Sequence, residues 1–150
     1  MTNIVSHIFR PDVIGCVMTD EHDQLIENTR VPIKTILLVE DDTTIAELLV
    51  QMISQETHYQ VFSVPDGPKA LNLAKYIKPE LLILDYWLPF MHGIELYDRL
   101  HTTEGLEEVP TIMLSVNAPV REINQRHILY MRKPFDMYKL LEAIDNMLKK

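Results

Sequence analysis

Five polar residues stand where apolar runs stop. Glu40 and Asp41 follow Ile36, Leu37, Leu38 and Val39; Asp85 closes 80-ELLILD-85; Ser115 closes 110-PTIMLS-115; and Lys133, with Pro134 behind it, follows 128-ILYM-131. Three carboxylates, a hydroxyl and an ammonium are a chemically coherent set if they meet. Three carboxylates packed together without counter-charge are electrostatically costly, and at least one must have a raised pKa. A hard divalent cation relieves that cost, and Mg²⁺ takes one or two carboxylates plus waters and a phosphate oxygen. Such a cation also neutralises charge in phosphoryl transfer, while an ammonium pairs with the remaining phosphoryl oxygens. Glu40, Asp41 and Asp85 are therefore the candidate metal ligands. Asp85 is also the candidate nucleophile, because carboxylates form aspartyl-phosphate intermediates. Ser115 would donate a hydrogen bond to the phosphoryl group and Lys133 would supply a positive point charge.

These residues meet only if the runs before them lie side by side and point the same way. From residue 34 onward, short apolar runs alternate with helix-period segments, the pattern of repeated βα units and a parallel sheet. The expected strands are 35-TILLV-39, 59-YQVFS-63, 80-ELLILD-85, 110-PTIMLS-115 and 128-ILYM-131. The first, third and fourth are apolar almost throughout, as suits strands buried on both faces. Between them, Ile45, Leu48, Leu49 and Met52 recur at helical spacing, with Thr44 and Glu47 offering a capping box. Further helical faces are Ala70, Leu73, Ala74 and Ile77; Ile94, Tyr97 and Leu100; and Met137, Leu140, Leu141, Ile144 and Leu148. A fourth helix around residues 119–126 is short of apolar positions, with only Val120 and Ile123 behind Pro119. In an open parallel sheet the strand ends gather along one edge, where ligands bind at the topological switch point.

The segments 39-VEDD-42, 84-LDYWLPFMHG-93, 110-PTIMLS-115 and 130-YMRKPF-135, in that order, resemble a response-regulator receiver domain of two-component signalling, over about residues 34–149. The resemblance implies an α/β fold, a doubly wound five-stranded parallel sheet of flavodoxin-like order 2-1-3-4-5 with helices on both faces. It makes Glu40 and Asp41 the acidic metal pair and Asp85 the phosphoacceptor, with Trp87 offering its backbone carbonyl to Mg²⁺. Ser115 takes the place of the switch hydroxyl, Lys133 that of the phosphate-binding lysine, and Tyr130 that of the aromatic residue whose rotamer reports phosphorylation. The Lys133–Pro134 bond is cis in the family, which is feasible before proline. The implied function is a switch that accepts a phosphoryl group from a phosphohistidine of a sensor histidine kinase or phosphotransfer protein. It assists its own phosphorylation and dephosphorylation and turns over no separate metabolite, so it is not an enzyme in the ordinary sense. The alternative is a receiver-like interaction module that binds a partner without phosphorylation. A phosphohydrolase reading is weaker, because Trp87 stands where many aspartate-based phosphatases place a second Asp, and no glycine-rich phosphate loop occurs.

Read singly, several of these residues have ordinary roles. Asp42 suits a helix N-terminus, Tyr130 suits a core with its hydroxyl reaching water, and His92 has no second His or Cys near it in sequence to suggest zinc. Two departures from the family pattern matter. Fourteen residues separate Ser115 from Tyr130, about one helical turn fewer than usual, and Arg126-His127 replaces the common Gly-Ala. That region is one through which many receivers dimerise, so a homodimer is left open and its usual mode is in doubt.

Composition bounds the rest. At 150 residues the chain is about one domain, and 47% apolar content suffices for a core. Its net charge of −8, divided as −3 over residues 1–33 and −5 over residues 34–150, lacks the basic balance of direct nucleic-acid binding. The single Cys16 permits no internal disulfide, and no apolar run approaches a membrane span, so a soluble, cytoplasmic chain is expected. Residues 1–33 stand apart from residues 34–150 as an N-terminal extension, either a hairpin arm around the Asp-Glu-His-Asp turn or an unstructured segment.

Overall fold

The computed structural model describes residues 32–149. The expected hairpin arm falls on residues that lie outside this range. Strand β1 (Thr35–Val39) leads into helix α1 (Thr43–Glu56), and β2 (Gln60–Val64) into α2 (Gly67–Ile77). The alternation continues through β3 (Leu81–Asp85), α3 (Gly93–His101), β4 (Thr111–Ser115), α4 (Val120–Gln125), β5 (Leu129–Arg132) and α5 (Met137–Leu148). The strands pair in parallel in the order β2-β1-β3-β4-β5, the doubly wound flavodoxin-like topology expected.

The period-2 alternation of strand side chains divides the core in two. Leu37, Val39, Leu82, Leu84 and Met113 face the layer formed with α2, α3 and α4. Ile36, Leu38, Leu81, Ile83, Ile112 and Leu114 face α1 and α5. All eleven are at most 1% exposed, which is why β1, β3 and β4 read as continuous apolar runs rather than as alternation. The sheet edge that carries the polar residues is thus anchored in three strands with no freedom to slip register: a one-residue shift would exchange the two core faces.

Helix starts follow local chemistry, with one correction. The N-cap of α1 is Asp42, whose side chain accepts the Ile45 N–H at 3.1 Å; the expected capping box of Thr44 and Glu47 does not form, because the helix begins earlier, at Thr43. Asp66 and Asp136 cap α2 and α5 in the same way. Leu48, expected on the apolar face of α1, is 52% exposed, and Ala46, Leu49, Val50 and Ile53 form the buried stripe instead. The side chains of that stripe turn Leu48 off the sheet, as a 3.6-residue period requires.

Helix α4 is indeed short, six residues, with neither a side-chain cap nor a buried residue besides Ile123. Six residues do not hold a helix in water by themselves. Ile123 is fully buried, worth about 1.5–3 kcal/mol. Arg126, at the helix end, donates from Nε and Nη2 to both carboxylate oxygens of Asp98 on α3 at 2.7 and 2.9 Å, and Tyr97 Oη donates to the Arg126 carbonyl at 3.0 Å. The ion pair is largely exposed and worth roughly 0.2–1 kcal/mol. Ile123 therefore supplies most of the holding energy, while Arg126 fixes where along α3 the short helix sits.

Hydrogen bonds from Arg126, helped by its charge, hold the Asp98 carboxyl below its ordinary value. With the folded value depressed, its contribution is complete above the unfolded value and is lost as pH falls through the folded one. A double-mutant cycle with Asp98→Ala and Arg126→Ala, read by urea unfolding, should give a coupling of about 0.2–1 kcal/mol at neutral pH that disappears in acid. Ile123→Ala should cost more, roughly 2–5 kcal/mol.

Candidate functional site

The C-terminal ends of the strands bring the five polar residues together. Asp85 is the last residue of β3, Glu40 follows the last residue of β1, and one oxygen from each of Glu40, Asp41 and Asp85 lies within 4.8 Å of the others. Glu40 and Asp85 are buried and Asp41 is exposed. Lys133, one residue past β5, reaches in from the far side of the sheet. Its Nζ donates to Glu40 Oε1 at 2.6 Å and to Asp85 Oδ2 at 3.2 Å. The backbone completes the cradle: Asp42 N–H donates to Glu40 Oε2 at 3.2 Å, and Trp87 N–H donates to Asp85 Oδ1 at 3.1 Å.

One ammonium stands against three carboxylates, and burial acts on the two sides in opposite directions. Burial pushes the Glu40 carboxyl from 4.5 up to about 7, over the opposing hydrogen bond from Lys133, and the charge of Asp85 adds to the rise. Burial alone would depress the Lys133 ammonium. The hydrogen bond and charge of Glu40, with those of Asp85, overcome it and lift the group above its usual range. The site is thus short of positive charge, and its donors are all oxygen. That inventory fits a hard divalent cation such as Mg²⁺ and offers nothing to a soft metal.

Ser115 and Tyr130 lie together on the neighbouring strands. Ser115 is fully buried at the end of β4, and its hydroxyl donates to the Asn117 carbonyl at 3.2 Å. The Ser115 carbonyl accepts both the Lys133 N–H at 2.9 Å and the Tyr130 hydroxyl at 3.1 Å. Tyr130 is therefore turned inward and tied to Ser115, where a reading of the residue alone would send its hydroxyl to water. The Lys133–Pro134 peptide is cis, as the resemblance implies.

Three further features surround Asp85. Gly93 is required by close approach: a Cβ there would lie 2.4 Å from the Asp85 carbonyl oxygen. His92 stacks on Tyr86 at 4.9 Å, and Trp87 meets both rings edge-on at 4.8 and 5.2 Å. The lone loop histidine is thus part of an aromatic group beside Asp85. Trp87 Nε1–H also donates to the Asn117 carbonyl at 2.7 Å, joining the β3–α3 loop to the β4–α4 loop. The order of residues in the Asp85 loop hinted at Gly93, but spacing carries no signal for the aromatic group, which depends on how that loop folds back on itself, or for the Trp87–Asn117 bond, which depends on how two loops lie beside each other.

A parallel sheet of order 2-1-3-4-5, with an acidic cluster and a lysine meeting at its C-terminal edge, defines a domain of the response-regulator type. The chain belongs to the response regulator receiver domain family, which it matches over residues 36–145, and is a receiver domain of two-component systems. Phosphorylation and Mg²⁺ binding are general features of that family. The chain is 29% identical over 119 residues to the DNA-binding dual master transcriptional regulator RpaA of Synechocystis, covering 77% of this chain and 49% of that protein. It is 30% identical over 117 residues to the sensor histidine kinase TmoS of Ectopseudomonas mendocina, covering 75% of this chain and 12% of that one. It thus spans about half of the first relative and a small part of the second. Among solved structures it is similar to the receiver domain of the sensor histidine kinase PA1611 from Pseudomonas aeruginosa, which has a magnesium ion coordinated in its active site cleft. That match has 26% identity and a TM-score of 0.70, covering 79% of this chain and all of the other. Among the described residues no helix is long and apolar enough to cross a membrane.

Gly93→Ala tests the packing under the site. With backbone rather than a mobile side chain in the way, the variant should lose about 1–3 kcal/mol in urea unfolding. Its amide resonances at Asp85, Tyr86 and Trp87 should move, since the Asp85 carbonyl must yield to the new methyl group.

Proposed function

We propose that the chain is a phosphorylation-dependent switch in which Asp85 accepts a phosphoryl group from a phosphohistidine of a sensor histidine kinase or phosphotransfer protein. The observation that carries this reading is the placement of Lys133 Nζ against both Glu40 and Asp85, inside a cluster of three carboxylates. In the reaction a carboxylate oxygen of Asp85 attacks phosphorus, the P–N bond to the partner's imidazole breaks, and the imidazole departs with its electron pair. Glu40, Asp41 and Asp85, with the Trp87 backbone carbonyl, would hold Mg²⁺, which supplies charge neutralisation for the transferring group.

The protein's own groups do the rest. Trp87 N–H and Lys133 Nζ orient the Asp85 carboxylate, each bonded to one of its oxygens. Lys133 is positioned to follow the negative charge from Asp85 onto the phosphoryl oxygens. The Ser115 hydroxyl would exchange its bond to the Asn117 carbonyl for one to the phosphoryl group. Because Tyr130 and Lys133 both bond to the Ser115 carbonyl, that exchange would be felt along residues 115–133, a two-state surface biased by the modification.

Two experiments test the reading. Incubation with a small acyl phosphate and Mg²⁺ should add one phosphoryl group by intact mass, and Asp85→Asn should abolish the addition. No uptake by the wild type would favour an interaction module that works without phosphorylation; uptake by the variant would move the acceptor elsewhere. The second concerns the cation. Glu40 titrates at about 7 in the folded chain against 4.5 ordinarily. The folded state therefore keeps a proton that the unfolded state has lost, and stability of the metal-free protein falls as pH rises through that window. A cation bound to the carboxylate must displace this proton. Mg²⁺ should raise the melting temperature clearly at about pH 8 and much less at about pH 5, and an equal rise at both would remove Glu40 from the ligand set.

A further inference from the structure

Trp87 touches both halves of the site. Its backbone N–H donates to Asp85 Oδ1 at 3.1 Å, and its indole N–H donates to the Asn117 carbonyl at 2.7 Å. The same carbonyl accepts the Ser115 hydroxyl at 3.2 Å. A carbonyl oxygen has two lone pairs and can serve both donors. One acceptor on the β4–α4 loop is thus shared by the hydroxyl that would bind the phosphoryl group and by a ring two residues from the phosphoacceptor.

The indole bond is a matter of position rather than of need. Trp87 is 53% exposed, so water could satisfy its N–H, and no burial forces the ring towards Asn117. Edge contacts with Tyr86 and His92 aim the ring instead. Within the loop it holds, Val116 and Asn117 are exposed, Ala118 packs against the core, and α4, which follows, has no side-chain cap.

We propose that Trp87 is a second positioning arm of the switch. By bonding the Asn117 carbonyl it holds the β4–α4 loop in its resting place, and it passes changes at Asp85 to that loop in parallel with Ser115. This rests on the phosphoacceptor reading. When Asp85 becomes an acyl phosphate, its negative charge passes to the phosphoryl oxygens and the acceptor of the Trp87 N–H weakens. The Ser115 hydroxyl leaves Asn117 at the same step, and the indole alone then restrains the loop.

The chain contains one tryptophan, so a single indole N–H resonance reports the bond. In the full chain with Mg²⁺, that resonance should shift when beryllofluoride is added, and it should also shift in Ser115→Ala without beryllofluoride, because the shared carbonyl then serves the indole alone. Trp87→Phe keeps the ring contacts and removes the donor. Its Val116, Asn117 and Ala118 amides should lie, before beryllofluoride, part of the way towards the positions they take in the wild type after it. If the Asp85 and Lys133 amides respond to beryllofluoride while the indole resonance stays still, or if Trp87→Phe leaves the resting loop amides at their wild-type positions, the second arm is refuted and the phosphoacceptor reading stands. If none of these resonances responds, both fall together.

Discussion

The structure depends on an electrostatic deficit. Three carboxylates are held at one edge of the sheet with a single ammonium among them, and two of the three are buried. Left to themselves, such groups would separate into water, where each costs far less. They stay because the strands behind them are locked by apolar packing on both faces, which makes moving one strand end far costlier than crowding its charge. The core thus holds an excess of negative charge at one edge, a set of oxygen donors that fits a hard divalent cation.

Around this centre the backbone fixes the acids in place and partly offsets their crowding. Gly93 lets α3 start against the Asp85 carbonyl. The Asp42 and Trp87 N–H groups each point at a carboxylate oxygen, and the turn after β5 swings Lys133 across to β1 and β3. Each contact reduces the freedom of a side chain in the acidic cluster. Pre-organisation of that kind is what makes phosphoryl transfer a matter of positioning and electrostatics.

The opposite edge of the site is built loosely. The β4–α4 loop is followed by a six-residue helix held by one buried isoleucine and one exposed ion pair. A segment so weakly held can take up a second arrangement at small cost, the physical requirement for a switch. Arg126 stands where the family commonly has a small residue. Its bond to Asp98 gives the shortened helix a fixed seat on α3, while Ile123 supplies most of the holding energy.

The sequence by itself determined the fold class, the order of elements and the residues at the strand ends, because burial on both faces leaves an unbroken apolar signature and polarity returns where each strand stops. It marked Glu40, Asp41, Asp85, Ser115 and Lys133 for one edge for that reason. It misplaced the α1 cap and put Leu48 on the buried face, since adjacent residues lie about 100° apart around a helix and which edge of an apolar stripe meets the sheet is set by packing, a detail that spacing does not resolve. Tertiary structure alone decided the rest: which carboxylate is raised, that Tyr130 bonds to the Ser115 carbonyl, that His92 joins an aromatic group, and that Trp87 shares an acceptor with Ser115. These are contacts made as loops fold back on themselves and against one another, and their energies depend on distance and solvent exclusion, quantities fixed only when the sheet has brought its strand ends together.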